Sequence, residues 1–418
     1  MYRIFLLVCL MLFSANLALA SSTLMPNTTL AMQNVQFWLT PEGEKIVAPQ
    51  ERISTMNKAM LSDTMCDLAG FSATVSGLKL KEYLAHYTIN DALYVNGLPL
   101  SETSALELEN DAVGNINSNN PVKYGVVTIR SNLRSFPTLA GAFEIPEDTH
   151  FDMWQETAVD PGEPALILHN NAKGNFVFVQ LKSYRGWLPR NQVAVTDRTT
   201  WLKYVEPREF AVVTDRLVNI KGLIYQMGAK LPLSSGKFLV PRRSSQGYLV
   251  SVEVPAYFSD ALHKGYLTFT RNNLLRMAFK HLGAVYGWGG RENSVDCSAF
   301  VQDVYKTVGV QLPRNGDEQA VGFPGMNMTN MNLEERIRTI KALEPGSIMF
   351  TPSHVMLYLG EKNARPYMIH AAGSYGEKDA EGNITKKRIM QTIVSDVYLL
   401  GGSGTSLLLQ MTKANNYK

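Results

Sequence analysis

Residues 286–314 read YGWGGRENSVDCSAFVQDVYKTVGVQLPR, and this stretch decides the architecture of the last third of the chain. Cys297, Phe300, Val301, Val304, Tyr305 and Val308 fall at alternating intervals of three and one, so a single helical face carries them. Gly309 stands where such a helix would end, and Pro313 follows just beyond. Upstream, Gly287, Gly289 and Gly290 prescribe a loop, and Asp296 has the side chain of an N-cap. Cys297 is therefore expected in the first turn of a buried helix. There, unpaired backbone N–H groups and the helix dipole favour an anion. With a basic partner, a thiol so placed is expected to titrate at roughly 3.5–7.5 instead of ~8.5.

A cysteine on an apolar helix face is more often an inert core residue. Here the polar, glycine-rich frame and two histidines downstream, His354 and His370, argue for chemistry. The other histidines (His86, His150, His169, His263 and His281) read as ordinary core or surface residues.

The 418 residues suffice for two to four domains, and 45% hydrophobic with 18% charged residues describes a folded chain. A net charge of +3 without a concentrated basic stripe does not argue for nucleic-acid binding, and no nucleic-acid partner is expected. Residues 1–20, with Arg3, the apolar run Ile4–Phe13 and Ala18-Leu19-Ala20, read as a secretory signal peptide. The mature protein is expected to be exported, periplasmic or secreted, without stable membrane insertion. Of three cysteines, Cys66 and Cys297 outlast that cleavage. They are expected to be free thiols, with Cys66 in a helical segment. No cysteine–histidine spacing suits a metal, and the glycines at 287–290 follow no strand of a βαβ unit, so neither metal nor cofactor is expected.

Residues 21–120 read as an N-terminal helical extension, with helices expected at Ile53–Met65 and Leu78–Leu84 and a polar linker at Gly114–Asn120. From Val122 the period shortens to strands with turn signals. Two small all-β barrels are expected, at 121–196 and 197–270, with Arg185-Gly186-Trp187-Leu188 echoed by Lys264-Gly265-Tyr266-Leu267. In 271–418, Thr270 caps a helix stopped by Gly283, and Met326–Met331 reads as a loop. A helix is expected at Leu333–Leu343, then strands from Ser347, at His354–Gly360 and at Tyr367–His370. Helices first and an antiparallel sheet afterwards make this domain α+β.

A thiol hydrolase needs a nucleophile, a base, an orienter for the base and donors for the oxyanion. The reading assigns these roles to Cys297, His354 and His370, with backbone N–H groups and the Tyr286 hydroxyl receiving the oxyanion.

These residues carry a family resemblance. Tyr286–Arg314, Leu343–Phe350, His354–Gly360 and Ile369-His370 are similar to the NlpC-type bacterial cell-wall cysteine peptidases, over roughly 271–400, with Asp296-Cys297-Ser298 the most specific element. The resemblance implies a papain-like domain and cleavage of the γ-D-glutamyl–diaminopimelate bond in murein stem peptides. It gives Cys297, His354, His370 and Tyr286 the same roles. Leu133–Pro137, Gln155–Thr157 and Tyr184–Trp187 resemble the first of two bacterial SH3-like barrels carried by some members. In those, the barrel walls the groove and favours a free N-terminal L-alanine, whose amine would here meet Glu156, Tyr184 and Asp296, with Ser298 nearby. Asn315-Gly316 departs from the Asp-Ser that follows Leu-Pro-Arg in relatives. Alternatives are an amidase or acyltransferase on the same fold, and an inactive wall-binding protein. The expected partner is a murein peptide or peptidoglycan.

Overall fold

The computed structural model describes residues 22–415 apart from 63–64, 90–91 and 323. The expected signal peptide lies outside the described residues, among which no helix is long and apolar enough to cross a membrane.

The N-terminal segment holds α1 (Gln50–Ala59), α2 (Gly77–Ala85) and α3 (Glu102–Val113). The first helix begins and ends earlier than its composition suggested, and Cys66 lies outside it in an irregular stretch. Cys66 is half-buried there, and its backbone N–H donates to the Lys182 carbonyl at 2.8 Å. The segment also divides in two. Met32, Trp38, Ala48, Ile53 and Met60 join the core of the C-terminal domain, whereas Leu68, Val75, Leu80 and Ala112 pack on the first β unit. The polar run before Pro121 is no free linker either, since Asn119–Pro121 pairs with Thr74–Ser76.

The first β unit contains β1 (Lys123–Val127), β2 (Ser131–Arg134), β3 (Gln155–Val159), β4 (Pro164–Asn170), β5 (Phe176–Gln180), β6 (Arg185–Pro189) and β7 (Val193–Thr196). They form one antiparallel sheet in the order β7-β1-β4-β5-β6-β2-β3. Strands β4 and β5 are apolar without alternation because both faces are covered. Val127, Ile167, Val179 and Leu188 fill one side. On the other, Leu166, Phe178 and Trp187 meet the N-terminal segment and Trp201 of α4 (Arg198–Val205).

The second unit orders β8 (Phe210–Val213), β9 (Lys230–Ser234), β10 (Lys237–Arg243), β11 (Leu249–Pro255) and β12 (Leu262–Lys264) as β11-β10-β9-β8-β12. The echo between 185–188 and 264–267 does not extend to structure. The first tetrapeptide lies in an inner strand, while the second straddles the end of edge strand β12, where Gly265 turns the chain at φ 69°.

In the last domain α5 (Arg271–Phe279), α6 (Cys297–Lys306), α7 (Gly316–Gly322) and α8 (Leu333–Lys341) cover a six-stranded sheet. Its strands are β13 (Met326–Asn327), β14 (Ile348–Thr351), β15 (His354–Lys362), β16 (Arg365–Lys378), β17 (Ile384–Asp396) and β18 (Lys413–Ala414), in the order β13-β18-β14-β15-β16-β17. Two differences from the sequence reading appear here. Met326-Asn327, read as loop, pairs with the C-terminal strand, and His370 sits inside a long strand instead of at its end. Helix α6 buries Phe300, Val301, Val304 and Tyr305 against Val355, Leu357, Ile369 and Val394. Truncating Phe300, which has no exposed surface, to alanine would cost about 3–5 kcal/mol.

Candidate active site

Asp296 caps α6 in extended backbone, and its Oδ1 accepts the Ala299 N–H at 2.9 Å. The cap fixes Cys297 as the first helical residue, half-buried and therefore reachable. The Val355 backbone N–H donates to the Cys297 sulfur, which sets the thiol beside the second residue of β15.

The sheet supplies the imidazoles. Leu357 pairs with Ile369, so the register sets Met356 opposite His370 and His354 diagonal to it on the same face. The diagonal closes as a hydrogen bond of 2.7 Å between His354 Nε2 and His370 Nδ1. His370 Nε2 in turn lies 3.0 Å from the Ser395 hydroxyl, a group the sequence reading missed. Tyr286 is buried, and its hydroxyl is raised well above its ordinary pKa by burial and then by Cys297 and Asp296 beside it.

Electrostatics depart from the expectation of an acidic thiol. Burial pushes Cys297 up to about 12, and the neighbouring Asp296 charge adds to the rise, outweighing the Val355 N–H and Arg314. Burial also takes His354 down to about 4 and His370 well below its ordinary value. Desolvation outweighs the helix terminus and favours the neutral thiol and the neutral imidazole.

Asp296 and Ser298 are engaged within the protein. Burial alone would raise Asp296, but Arg314 overrides it and holds the carboxyl below its usual range. Arg314 reaches Asp296 Oδ2 at 2.5 Å and Oδ1 at 3.1 Å, and donates to the Ser298 hydroxyl at 2.9 Å. The Gly289 N–H adds a bond of 3.0 Å. Bonds so numerous leave this carboxylate little lone-pair capacity for an incoming amine.

Glu156 differs. Its Oε2 accepts the Tyr184 hydroxyl at 2.5 Å, and its Oε1 accepts the Ser135 hydroxyl. Both donors are neutral, while the nearby arginines 130, 134 and 314 are paired with Asp160, Asp152 and Asp296. Tyr87, from the N-terminal segment, lines a cleft of about 270 Å³ with Glu156, Ser135 and Trp154. Burial and the adjacent Glu156 and Tyr184 raise the Tyr87 hydroxyl well above its ordinary pKa.

The barrel strand that carries Glu156 is clamped to the Cys297 domain. Gln155 Nε2 donates to the Gly289 carbonyl at 2.8 Å, Trp288 Nε1 to the Asp152 carbonyl at 2.9 Å, and Arg314 Nε to Thr157 Oγ1 at 2.8 Å. The approach requires glycine. At Gly289, with φ +56°, a Cβ would lie 2.5 Å from Gln155 Cγ, and at Gly290, with φ +76°, 2.6 Å from Ala158 Cβ.

A reachable thiol on a capped helix, beside an antiparallel sheet bearing a histidine pair, defines a cysteine peptidase of papain-like fold. The comparisons agree: residues 283–394 match the NlpC/P60 family and residues 141–189 match an SH3 domain of SH3b1 type. The chain thus carries an NlpC/P60 cysteine peptidase domain behind an SH3b-type barrel. It is 26% identical over 232 residues to the dipeptidyl-peptidase 6 of Lysinibacillus sphaericus, covering 51% of this chain and 79% of that protein. Its fold is similar to that of an NlpC/P60 endopeptidase from Photobacterium damselae subsp. piscicida, at TM-score 0.75 and 19% identity, over 92% of this chain and 97% of the other.

Proposed function

We propose that this cysteine peptidase is a peptidoglycan hydrolase that cuts the γ-D-glutamyl–diaminopimelate bond of murein stem peptides and prefers a free N-terminal L-alanine. Residues 1–20, read as a signal peptide, suggest that it works outside the cytoplasm. The observation that carries the preference is Glu156, a carboxylate without a cation among the described residues, held by Tyr184 on a barrel strand locked to the Cys297 domain. A carboxylate kept by neutral donors suits an ammonium group. An acylated amine there would leave the charge unmatched.

In the proposed reaction His354 Nδ1, the ring nitrogen His370 does not use, takes the Cys297 proton as the sulfur attacks the γ-glutamyl carbonyl. The Cys297 backbone N–H and the Tyr286 hydroxyl receive the developing oxyanion. Collapse breaks the C–N bond, and the imidazolium returns its proton to the leaving diaminopimelate amine. Water, deprotonated by the same ring, then releases the acyl group and restores the thiol.

Incubation with L-Ala-γ-D-Glu-diaminopimelate should yield L-Ala-γ-D-Glu and free diaminopimelate by mass spectrometry. Cys297→Ala should yield neither. N-acetylating the alanine should lower kcat/KM by about 10- to 100-fold, the scale of a lost hydrogen bond to a charged group. Equal cleavage of the acetylated peptide would sink the preference, and no cleavage of either would sink the assignment.

A further inference from the structure

Three polar side chains step diagonally across three adjacent strands. His354 on β15 meets His370 on β16, and His370 meets Ser395 on β17, at 2.7 and 3.0 Å. Register explains the line: His370 pairs with Ile393 and Met368 with Ser395, so Ser395 lies diagonal to His370 on the same face. Ser395 and His370 are 0% and 1% exposed, which leaves solvent no part in these bonds.

A neutral imidazole has one N–H and one lone pair. The line can therefore run in only two directions. If the Ser395 hydroxyl donates, His370 passes the polarity on, and His354 is left with hydrogen on Nδ1, unable to accept a proton. If the Ser395 oxygen accepts from His370 Nε2–H, then His354 Nε2–H donates to His370 Nδ1, and His354 Nδ1 keeps its lone pair. Only the second direction leaves His354 Nδ1 able to act as a base.

We propose that Ser395 is a positioning residue that sets this direction, accepting from His370 and so holding His354 in the tautomer that takes the Cys297 proton. The inference rests on the reading of His354 as the base. The transfer is then local. The Sγ–H bond breaks, sulfur keeps the electron pair, the proton bonds to His354 Nδ1, and the two bonds behind it keep their sense. A hydroxyl suits the end of the line because its oxygen can accept the Nε2–H, whereas alanine would leave His370 Nε2 buried and unmatched.

The test needs no substrate. In a full-length Cys66→Ser background, iodoacetamide alkylation of Cys297 is followed from about pH 4 to 9. Ser395→Ala should slow it at neutral pH by about tenfold or more and move the profile to higher pH. Ser395→Thr, which keeps the hydroxyl, should stay within about twofold of the parent. An unchanged profile in Ser395→Ala would overturn the proposal. Should that variant fail to fold, 15N NMR of the parent decides: hydrogen on Nε2 of His354 is expected, and hydrogen on Nδ1 refutes it. Alkylation indifferent to His354→Ala would instead refute the reading of the base, whatever Ser395 does.

Discussion

Arg314 and Asp296 form a bidentate ion pair at the cap of the Cys297 helix, with Nη2–Oδ2 at 2.5 Å and Nη1–Oδ1 at 3.1 Å. The side chains are only 5% and 9% exposed. Removing one partner strands the other's charge away from water. Arg314→Ala is expected to lose about 3–5 kcal/mol in urea unfolding. Arg314→Lys should fold more stably than Arg314→Ala, but its single ammonium cannot reproduce the fork.

The acid side of the activity profile reports the base. His354 must be neutral to accept a proton, and burial brings its pKa down to about 4. Activity is expected to persist through pH 5 and to halve near 4, where an unburied histidine would fail at ~6.5. Measuring kcat/KM from pH 3.5 to 8 decides it, and a midpoint at 6 or above contradicts the burial argument.

Stability should follow pH in the same direction. His281, His354 and His370 are all shifted down by burial, His281 to about 3 and His354 to about 4. Unfolding restores a pKa of ~6.5, so below that value the unfolded chain binds more protons. The effect is absent above about pH 6.5 and grows as pH falls toward the folded values. Each histidine then removes ~1.4 kcal/mol per pH unit. His281, whose ring nitrogens have no hydrogen-bond partner among the described residues and whose ring meets Phe300 edge-on at 5.6 Å, offers the comparison. Denaturation at pH 5 and 7 should show a smaller loss for His281→Leu than for the parent. An equal loss would mean that His281 takes no part.

Gly289 tests the clamp between barrel and peptidase. A Cβ there would meet the Gln155 carbonyl at 2.9 Å as well as its Cγ, in backbone at φ +56°. Gly289→Ala is expected to lift the Glu156 strand away. Discrimination between free and acetylated alanine should shrink, while Cys297 still reacts with iodoacetamide. Unchanged discrimination would separate Glu156 from amine recognition.

Local patterns carried well from sequence to structure. The helix at Cys297 was legible because its cap, its apolar face and its glycine stop all lie between Asp296 and Gly309. The hydrogen bond between His354 and His370 followed from one strand beginning and the next ending in histidine, although β16 continues well beyond His370. Relationships set by register were not legible: nothing near Ser395 in the chain announces that it lies against His370. Arg314 stood in a quoted motif, yet its claim on Asp296 appears only when the two sides of α6 come together. The thiol was misjudged because a dipole argument counts the helix terminus but not the water removed around it. Tyr87 was missed because its partners Arg185 and Glu156 come from the barrel.

The first residues of the described chain are stitched into the last domain. Asn57 donates to the Gly309 carbonyl across 252 positions, and Ile53 and Trp38 sit in the same apolar core as α6. Assembly of that core must wait until the chain has been synthesised through Val394, because it needs Met32 and Val394 together. A peptidase cut free at Thr270 would present raw hydrocarbon where those side chains belong, so the enzyme behaves as one garment with its hem sewn to its collar rather than as beads on a string.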